Sequence, residues 1–305
     1  MGLANSTNGP APNGTHGHTQ NSTNGHTQNG TNGNTSNGWN GTFMKSKDPY
    51  ALMRDCNANS RLTAQHYLWK DLLGFLAHPD IPTGDANLKV ADVATGNGIW
   101  LHDFARNKPS SVELHGFDIS LDQVVAQPWL PENIHMHTWN LFQEPPPQFV
   151  GYFDVVHVRL ITVVVKNNDP RPLLANLTKL LKPGGYLQWG EVDTINCSIQ
   201  TVPGVSAPNL EKLFSQLKGG DTWKSHLTQI MEENGYSGSR LYSYEYGHDI
   251  SRFWSDVYVS TWKEFAKNAL KTPEASRELE RKAMNEARSG AAICVPKLVW
   301  VARKV

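Results

Sequence analysis

Val90-Ala-Asp-Val-Ala-Thr-Gly-Asn-Gly-Ile-Trp100 is the stretch from which the fold is read. It has the pattern of a buried strand, a glycine turn and the first turn of a helix. Val90, Ala91 and Val93 suit a strand covered on both faces. Gly96 and Gly98 allow a tight turn and let a ligand approach the backbone closely. The N–H groups that open the next helix are available to a ligand's polar atoms. Asp92, at the strand's end, can meet a hydroxyl or an ammonium group.

Downstream of this turn, apolar runs alternate with helical patterns. The spacing predicts strands at 88–93, 112–117, 133–138, 153–158 and 186–192, with helices at 97–106 and 172–181. Such alternation argues for a parallel sheet with right-handed crossovers. Beyond Cys197, helices are expected within 209–233, a Tyr-rich strand at 236–246, helices at 253–270 and 273–287, and a closing strand at 293–302. Upstream, 50–78 reads as helical, with Leu62, Ala64, Leu68, Leu72, Leu73, Phe75 and Leu76 forming an apolar face that Pro79 and Pro82 end. Arg54, Arg61, Gln65 and His66 on that segment are either an ordinary polar face or a lid with Arg61 or His66 turned inward.

A glycine turn after a first strand serves several nucleotide ligands. A dinucleotide fingerprint needs a third glycine, but Leu101 stands there, and no Gly-Lys-Ser/Thr is present for a phosphate loop. Asp118 closes the next strand about twenty residues on, where a ribose-diol acceptor belongs in this topology. The segments 90–98, Gly116-Phe-Asp-Ile-Ser120, Phe153-Asp-Val-Val-His-Val-Arg159 and Leu181-Lys-Pro-Gly-Gly-Tyr-Leu-Gln-Trp-Gly-Glu191 resemble, in order and spacing, the motifs of class I S-adenosylmethionine-dependent methyltransferases. The resemblance covers roughly 48–305 and is to the subgroup found in fungal secondary-metabolite clusters. Ala94 departs from it, standing where the family often has its first glycine.

That resemblance implies an α/β, Rossmann-like fold: a mostly parallel seven-stranded sheet of order 3-2-1-4-5-7-6, helices on both faces and a helical lid. It implies S-adenosyl-L-methionine as cofactor. Asp92 and the backbone of Ala94, Thr95, Gly96 and Gly98 would hold its methionine end. Asp118 would take the ribose hydroxyls, Ile119 would pack on the adenine, and Asn140, beside Leu141, would accept from the adenine amino group. Arg61 and His157 complete the expected cofactor contacts.

Methyl transfer from a sulfonium is an in-line displacement, so alignment and a dry site are the main requirements. A general base is needed only where the acceptor must lose a proton. His157 is the catalytic candidate, set against a merely packed histidine. Glu191, with Asp193, is the candidate for orienting the acceptor, set against an ion pair with Arg159. The expected enzyme is an O- or N-methyltransferase acting on a small organic acceptor. The rival readings are a cofactor-binding regulator that works through protein partners and a non-methylating cyclase.

The 305 residues carry 28 basic and 28 acidic side chains, so the formal charge is zero. A nucleic-acid partner would call for a basic face. The three cysteines are far apart and lack metal-ligand spacing, so no metal is expected and a reduced, cytoplasmic protein is. No run is long enough to span a bilayer. Residues 1–42 are Asn, Gly, Thr, Ser and His in an approximate eight-residue repeat (18–25, 26–33, 34–41), expected to be disordered. Met1-Gly2 and its neighbours fit an N-myristoylation pattern, but one acyl chain without a polybasic partner gives no stable membrane association. The expected organisation is this tail, a helical cap over 43–86, and a catalytic domain over 87–305 with a helical insertion at about 247–290.

Overall fold

Strand β1 (Lys89–Val93) lies inside the sheet, parallel to β2 (Glu113–Asp118) on one side and β4 (Phe153–Arg159) on the other. Flanked on both sides, its residues from Val90 onward are all buried. The computed structural model describes residues 52–215, 221–270 and 273–305. The polar repeat, the N-terminal acylation pattern and 43–51 of the expected cap lie outside the described residues.

The elements follow in chain order: α1 (Cys56–Leu73), β1, α2 (Ile99–Ala105), β2, β3 (Ile134–Thr138), β4, α3 (Arg171–Leu180), β5 (Leu181–Val192), β6 (Ser198–Thr201), α4 (Pro208–Ser215), α5 (Leu227–Glu233), β7 (Tyr236–Tyr244), α6 (His248–Leu270), α7 (Pro273–Arg288), β8 (Ala291–Cys294) and β9 (Lys297–Lys304). The main sheet has seven strands in the order β3-β2-β1-β4-β5-β9-β7. The first five are mutually parallel, and β9 runs antiparallel to β5 and to β7. Counted within this sheet alone, the order is 3-2-1-4-5-7-6. Strands β6 and β8 form a separate antiparallel pair, which shifts the numbering of the last two members.

Alternation along the strands sorts the core into two layers. Ala91, Val93, Val156, Val158, Leu187 and Trp189 face α3 and α5. Val90 and Val155 face the other way, toward α1, α2 and α6. Asp92, His157 and Arg159 share that second face by the period of two.

Two boundaries differ from expectation. Helix α1 stops at Leu73 because Gly74 takes a left-handed C-cap (φ 75°) and returns its N–H to the Lys70 carbonyl, well before Pro79. Its buried stripe is Ala58, Arg61, Gln65, His66, Trp69 and Leu73, so polar side chains hold half of the inner face. The expected strand over 293–302 is two strands, broken at Val295-Pro296, since proline has no N–H for a ladder. The Pro296 carbonyl instead accepts from Asp193 N–H at 2.8 Å.

Lys297, at the start of β9, is wholly buried against Trp69 of α1 and Trp254 and Tyr258 of α6. Its Nζ donates to Tyr258 Oη at 2.7 Å and to the Val295 carbonyl at 2.5 Å. Burial holds its pKa well below the usual lysine value. The lysine ties α6 to the sheet, and Trp69 joins α1 to the same cluster.

Candidate active site

After Val93 the chain turns through Ala94, Gly96 and Gly98, all three in the left-handed region (φ 57°, 60° and 77°). The φ of 77° at Gly98 is what favours glycine there; a Cβ would also lie 2.7 Å from Met136 Cε, the mobile end of a flexible side chain. The turn is closed by Thr95 N–H donating to the Phe117 carbonyl and Gly98 N–H donating to the Thr95 carbonyl, both at 3.0 Å. Gly96 N–H donates to Asp118 Oδ2 at 2.9 Å, and Ser120 N–H reaches Oδ1 at 3.2 Å. Burial pushes the Asp118 pKa up, opposed by these backbone hydrogen bonds and by the charge of Arg54. Ile119 follows with 42% exposure. A carboxylate pinned to the lip of a glycine turn, beside an open isoleucine, is a donor set that fits a nucleoside: the acid for ribose hydroxyls and the apolar flank for the base.

Asn140 and Leu141 follow β3. The Asn140 Oδ1 accepts from Phe142 N–H at 3.0 Å and so closes its own turn, and one lone pair remains on that oxygen. The Leu141 carbonyl accepts from Asn176 Nδ2 at 2.8 Å, fixing this loop to α3.

Two residues read separately in the sequence are partners. Asp92 Oδ1 accepts from His157 Nδ1 at 2.7 Å, and Asp92 Oδ2 accepts from Thr95 Oγ1 at 2.6 Å. Both Asp92 and His157 are almost fully buried, and the Trp100 ring stacks on the imidazole with centroids 4.1 Å apart and planes 5° apart. Burial lowers the His157 pKa, and the Asp92 carboxylate only partly offsets this. The imidazole is therefore neutral at neutral pH. Its Nδ1 carries the proton shared with Asp92, leaving Nε2 as the acceptor nitrogen.

Helix α1 closes over the turn. Asn97 Nδ2 donates to Asn59 Oδ1 at 2.7 Å and to Thr63 Oγ1 at 3.1 Å. Arg61 is buried and its ion pair is with Glu264 of α6, at 3.6 Å, rather than with the turn. His66 is wholly buried. Its Nε2 donates to Asp103 Oδ2 at 3.0 Å, and Lys70 Nζ reaches the same oxygen at 2.8 Å. Burial, with help from Arg159, brings the His66 pKa down to about 4. Both residues lie on the buried face of α1, Arg61 paired with Glu264 and His66 with Asp103.

Glu191 lies apart from His157. It follows Trp189 by two residues and shares that residue's face, on the α3/α5 side, whereas His157 lies on the α1/α2 side. Glu191 Oε1 accepts from Ile161 N–H at 3.0 Å and from Trp189 Nε1 at 3.1 Å. Burial raises its pKa to about 7. It lies on the sheet face opposite His157, and among the described residues it forms no ion pair with Arg159. Asp193 is likewise engaged locally, by the N–H groups of Ile195 and Asn196 and the Asn196 side chain.

Sequence reasoning missed the Asn97 clamp, the Trp100 stack and the place of Arg159. Asn97 carried a signal, being a polar side chain inside a glycine turn; the other two depend on strand register. Among the described residues no group of three or more His, Cys, Asp or Glu side chains could hold a metal ion, and no helix is long and apolar enough to cross a membrane.

Residues 91–187, from β1 into β5, match the family model described as a methyltransferase domain. Over these residues the chain is similar to methyltransferases, and its sheet has the class I methyltransferase fold. It is similar to the N-methyltransferase verN of Clonostachys rogersoniana, 29% identical over 194 residues that cover 63% of this chain and 66% of that protein. It is also similar to the methyltransferase grgD of a Penicillium species, 34% identical over 152 residues, 47% of this chain and 52% of that protein. The chain thus spans between about half and two thirds of the length of these curated relatives. Among solved structures, the match to that of the [4+2]-cyclase SpnF covers 78% of this chain and 80% of that one, with a TM-score of 0.50 and 17% identity, which speaks to the fold.

Proposed function

We propose that this chain binds S-adenosyl-L-methionine at the turn over residues 92–98 and transfers its methyl group to an oxygen or nitrogen atom of a small organic acceptor. The observation that carries the reading is the Asp118 carboxylate, held by Gly96 N–H at the lip of a turn whose three small residues are all left-handed. When bound, the cofactor supplies a methyl group already activated by a sulfonium.

The chain's own residues then align and desolvate. Asp118 accepts from the ribose hydroxyls, Ile119 lies under the base, and Asn140 offers its remaining lone pair to the adenine amino group. Helix α1, clamped through Asn97, keeps water from the turn. His157, held by Asp92 and Trp100, is the group available to take a proton from an acceptor hydroxyl or amine. Partners of this activity are a small acceptor and no nucleic acid, in keeping with a chain of zero formal charge. A low cysteine count suits the cytoplasm.

The test is calorimetric. Asp118→Ala should weaken binding of S-adenosylhomocysteine by about 1–3 kcal/mol, the loss of two charge-assisted hydrogen bonds. Unchanged affinity would overturn this placement of the cofactor. Release of S-adenosylhomocysteine on incubation with candidate acceptors then separates a methyltransferase from a regulator or a cyclase.

A further inference from the structure

Arg159 ends β4 on the same face as Asp92 and His157. Its aliphatic stem crosses the bare backbone of Gly190 on β5, where an added Cβ would sit 3.3 Å from Arg159 Cγ and 3.2 Å from Trp69 Cζ2. The absence of a side chain at Gly190 is what lets the arginine lie against the sheet. Its guanidinium is 5.3 Å from the Trp69 ring, and one nitrogen reaches the lone pair of His66 Nδ1 at 3.4 Å. A guanidinium has five N–H donors. That single long contact leaves most of them available, and among the described residues no carboxylate lies within ion-pair distance of it.

The nearby acids are already engaged. Asp92 is taken by His157 and Thr95, and Asp103 by Lys70 and His66. Asp193 is satisfied within its own turn, and Glu191 points to the opposite face. His66 and His157 are both neutral, and Arg159 itself disfavours their protonation. Burial lowers the pKa of Arg159 to about 10, and the charge of Asp92 offsets this only in part. A largely unspent cation stands at the carboxyl edge of β4, and the imidazole beside it is a weak base. Such a site disfavours acceptors that need a strong base and favours those that ionise by themselves.

We propose that Arg159 receives the ionised oxygen or nitrogen of the acceptor, so that the substrate class is a molecule with an acidic O–H or N–H group, such as a phenol, an enol or an imide. The acceptor's proton passes through the neutral His157 to solvent as the anion is bound, and the planar fork of the guanidinium fixes the anion's direction. Arg159 is on this view a specificity-determining residue. The inference rests on the methyltransferase reading above.

The probe is 4-nitrophenol, whose ionisation is read by absorbance, added to full-length protein saturated with S-adenosylhomocysteine. The wild type should bind the phenolate at least tenfold more tightly than the phenol, seen as a fall of about one unit in the probe's apparent pKa. Arg159→Met should abolish that preference while changing S-adenosylhomocysteine affinity less than twofold. Arg159→Lys, which keeps the charge, should retain part of it and guards against a folding defect in the methionine variant. An equal preference in wild type and Arg159→Met overturns the proposal, as does failure of the loaded protein to bind the probe. Loss of S-adenosylhomocysteine affinity in Arg159→Met with the phenolate preference intact also overturns it, by assigning the arginine to the cofactor. Failure of S-adenosylhomocysteine to bind the wild type is a separate result, which strikes the methyltransferase reading itself.

Discussion

Ala94 is the residue whose chemistry fits its position least. Its φ of 57° lies in the left-handed region, where a Cβ crowds the following carbonyl oxygen at a cost of roughly 1–2 kcal/mol. Gly96 and Gly98 meet the same demand without that cost, and they show why the chain accepts it: β1 must reverse within five residues and still present backbone N–H groups to Asp118. Part of the strain is offset because alanine loses less conformational entropy on folding than glycine. Ala94→Gly should therefore stabilise the protein by about 0.5–1 kcal/mol, measured by urea unfolding, with S-adenosylhomocysteine affinity unchanged. A loss of stability would mean that the alanine methyl makes a packing contact worth more than its strain. The sequence marked Ala94 as a departure from the family's glycine but gave no dihedral. The structure supplies it, and with it a sign for the mutation.

Helix α1 is the element on which closure of the turn depends, and it is also where the sequence misled most. Its inner stripe carries Arg61, Gln65 and His66 as well as Leu73, and Leu68, Leu72, Phe75 and Leu76 pack beside the core only partly buried, so an apolar-face reading found part of the inner side and left out its polar half. The reason is physical: the helix meets charged groups, Asp103, Arg159 and Glu264, as well as hydrocarbon. The attachment to the turn is polar as well. Asn97→Ala removes both hydrogen bonds to α1 and leaves Asn59 Oδ1 and Thr63 Oγ1 without that donor. We expect a loss of about 1–3 kcal/mol in stability, together with faster amide hydrogen exchange over α1 than over β1, β4 and β5. Uniform acceleration across the sheet would show that the clamp is not local. The central strands were legible because strands covered on both faces are near-continuous apolar runs. The last strand was not, because the run from Ile293 to Ala302 hides one proline. Glu191 and His157 were paired by their nearness to strand ends, yet a strand's two faces alternate and only register decides which residues meet. His157 stands opposite Gln188, and Arg159 opposite Gly190, a correspondence that no pattern within either strand could give.

Across the whole protein, buried ionisable groups set two opposing dependences of stability on pH. His66 and His115 are held down to about 4, and His137 and His157 are also lowered, burial being the main cause in each. His115 and His137 bridge β2 and β3 through ring nitrogens 2.9 Å apart, so this group includes the edge of the sheet. Unfolded imidazoles titrate near 6.5. Between that value and about 4 the unfolded chain binds more protons, so these histidines withdraw stability as the pH falls through the window. Glu191 acts in the other direction. Its pKa is raised from 4.5 to about 7, so the folded state binds the extra proton. That contribution is complete below 4.5 and is lost as the pH rises through 7. One of its oxygens, Oε2, is buried without a hydrogen-bond partner among the described residues, which makes the ionised form costly. With several imidazoles set against the raised carboxyls of Glu191 and Asp118, the acid limb should be the steeper. Glu191→Gln retains an acceptor for Ile161 N–H and Trp189 Nε1 and cannot ionise. Urea midpoints taken from pH 5 to 8 should show this variant gaining on the wild type as the pH rises, by on the order of 1–3 kcal/mol at pH 8, with the acid limb unaltered. Parallel profiles for the two proteins would mean that Glu191 ionises in the folded state as an ordinary carboxylate does, and that water reaches the α3/α5 side of β5.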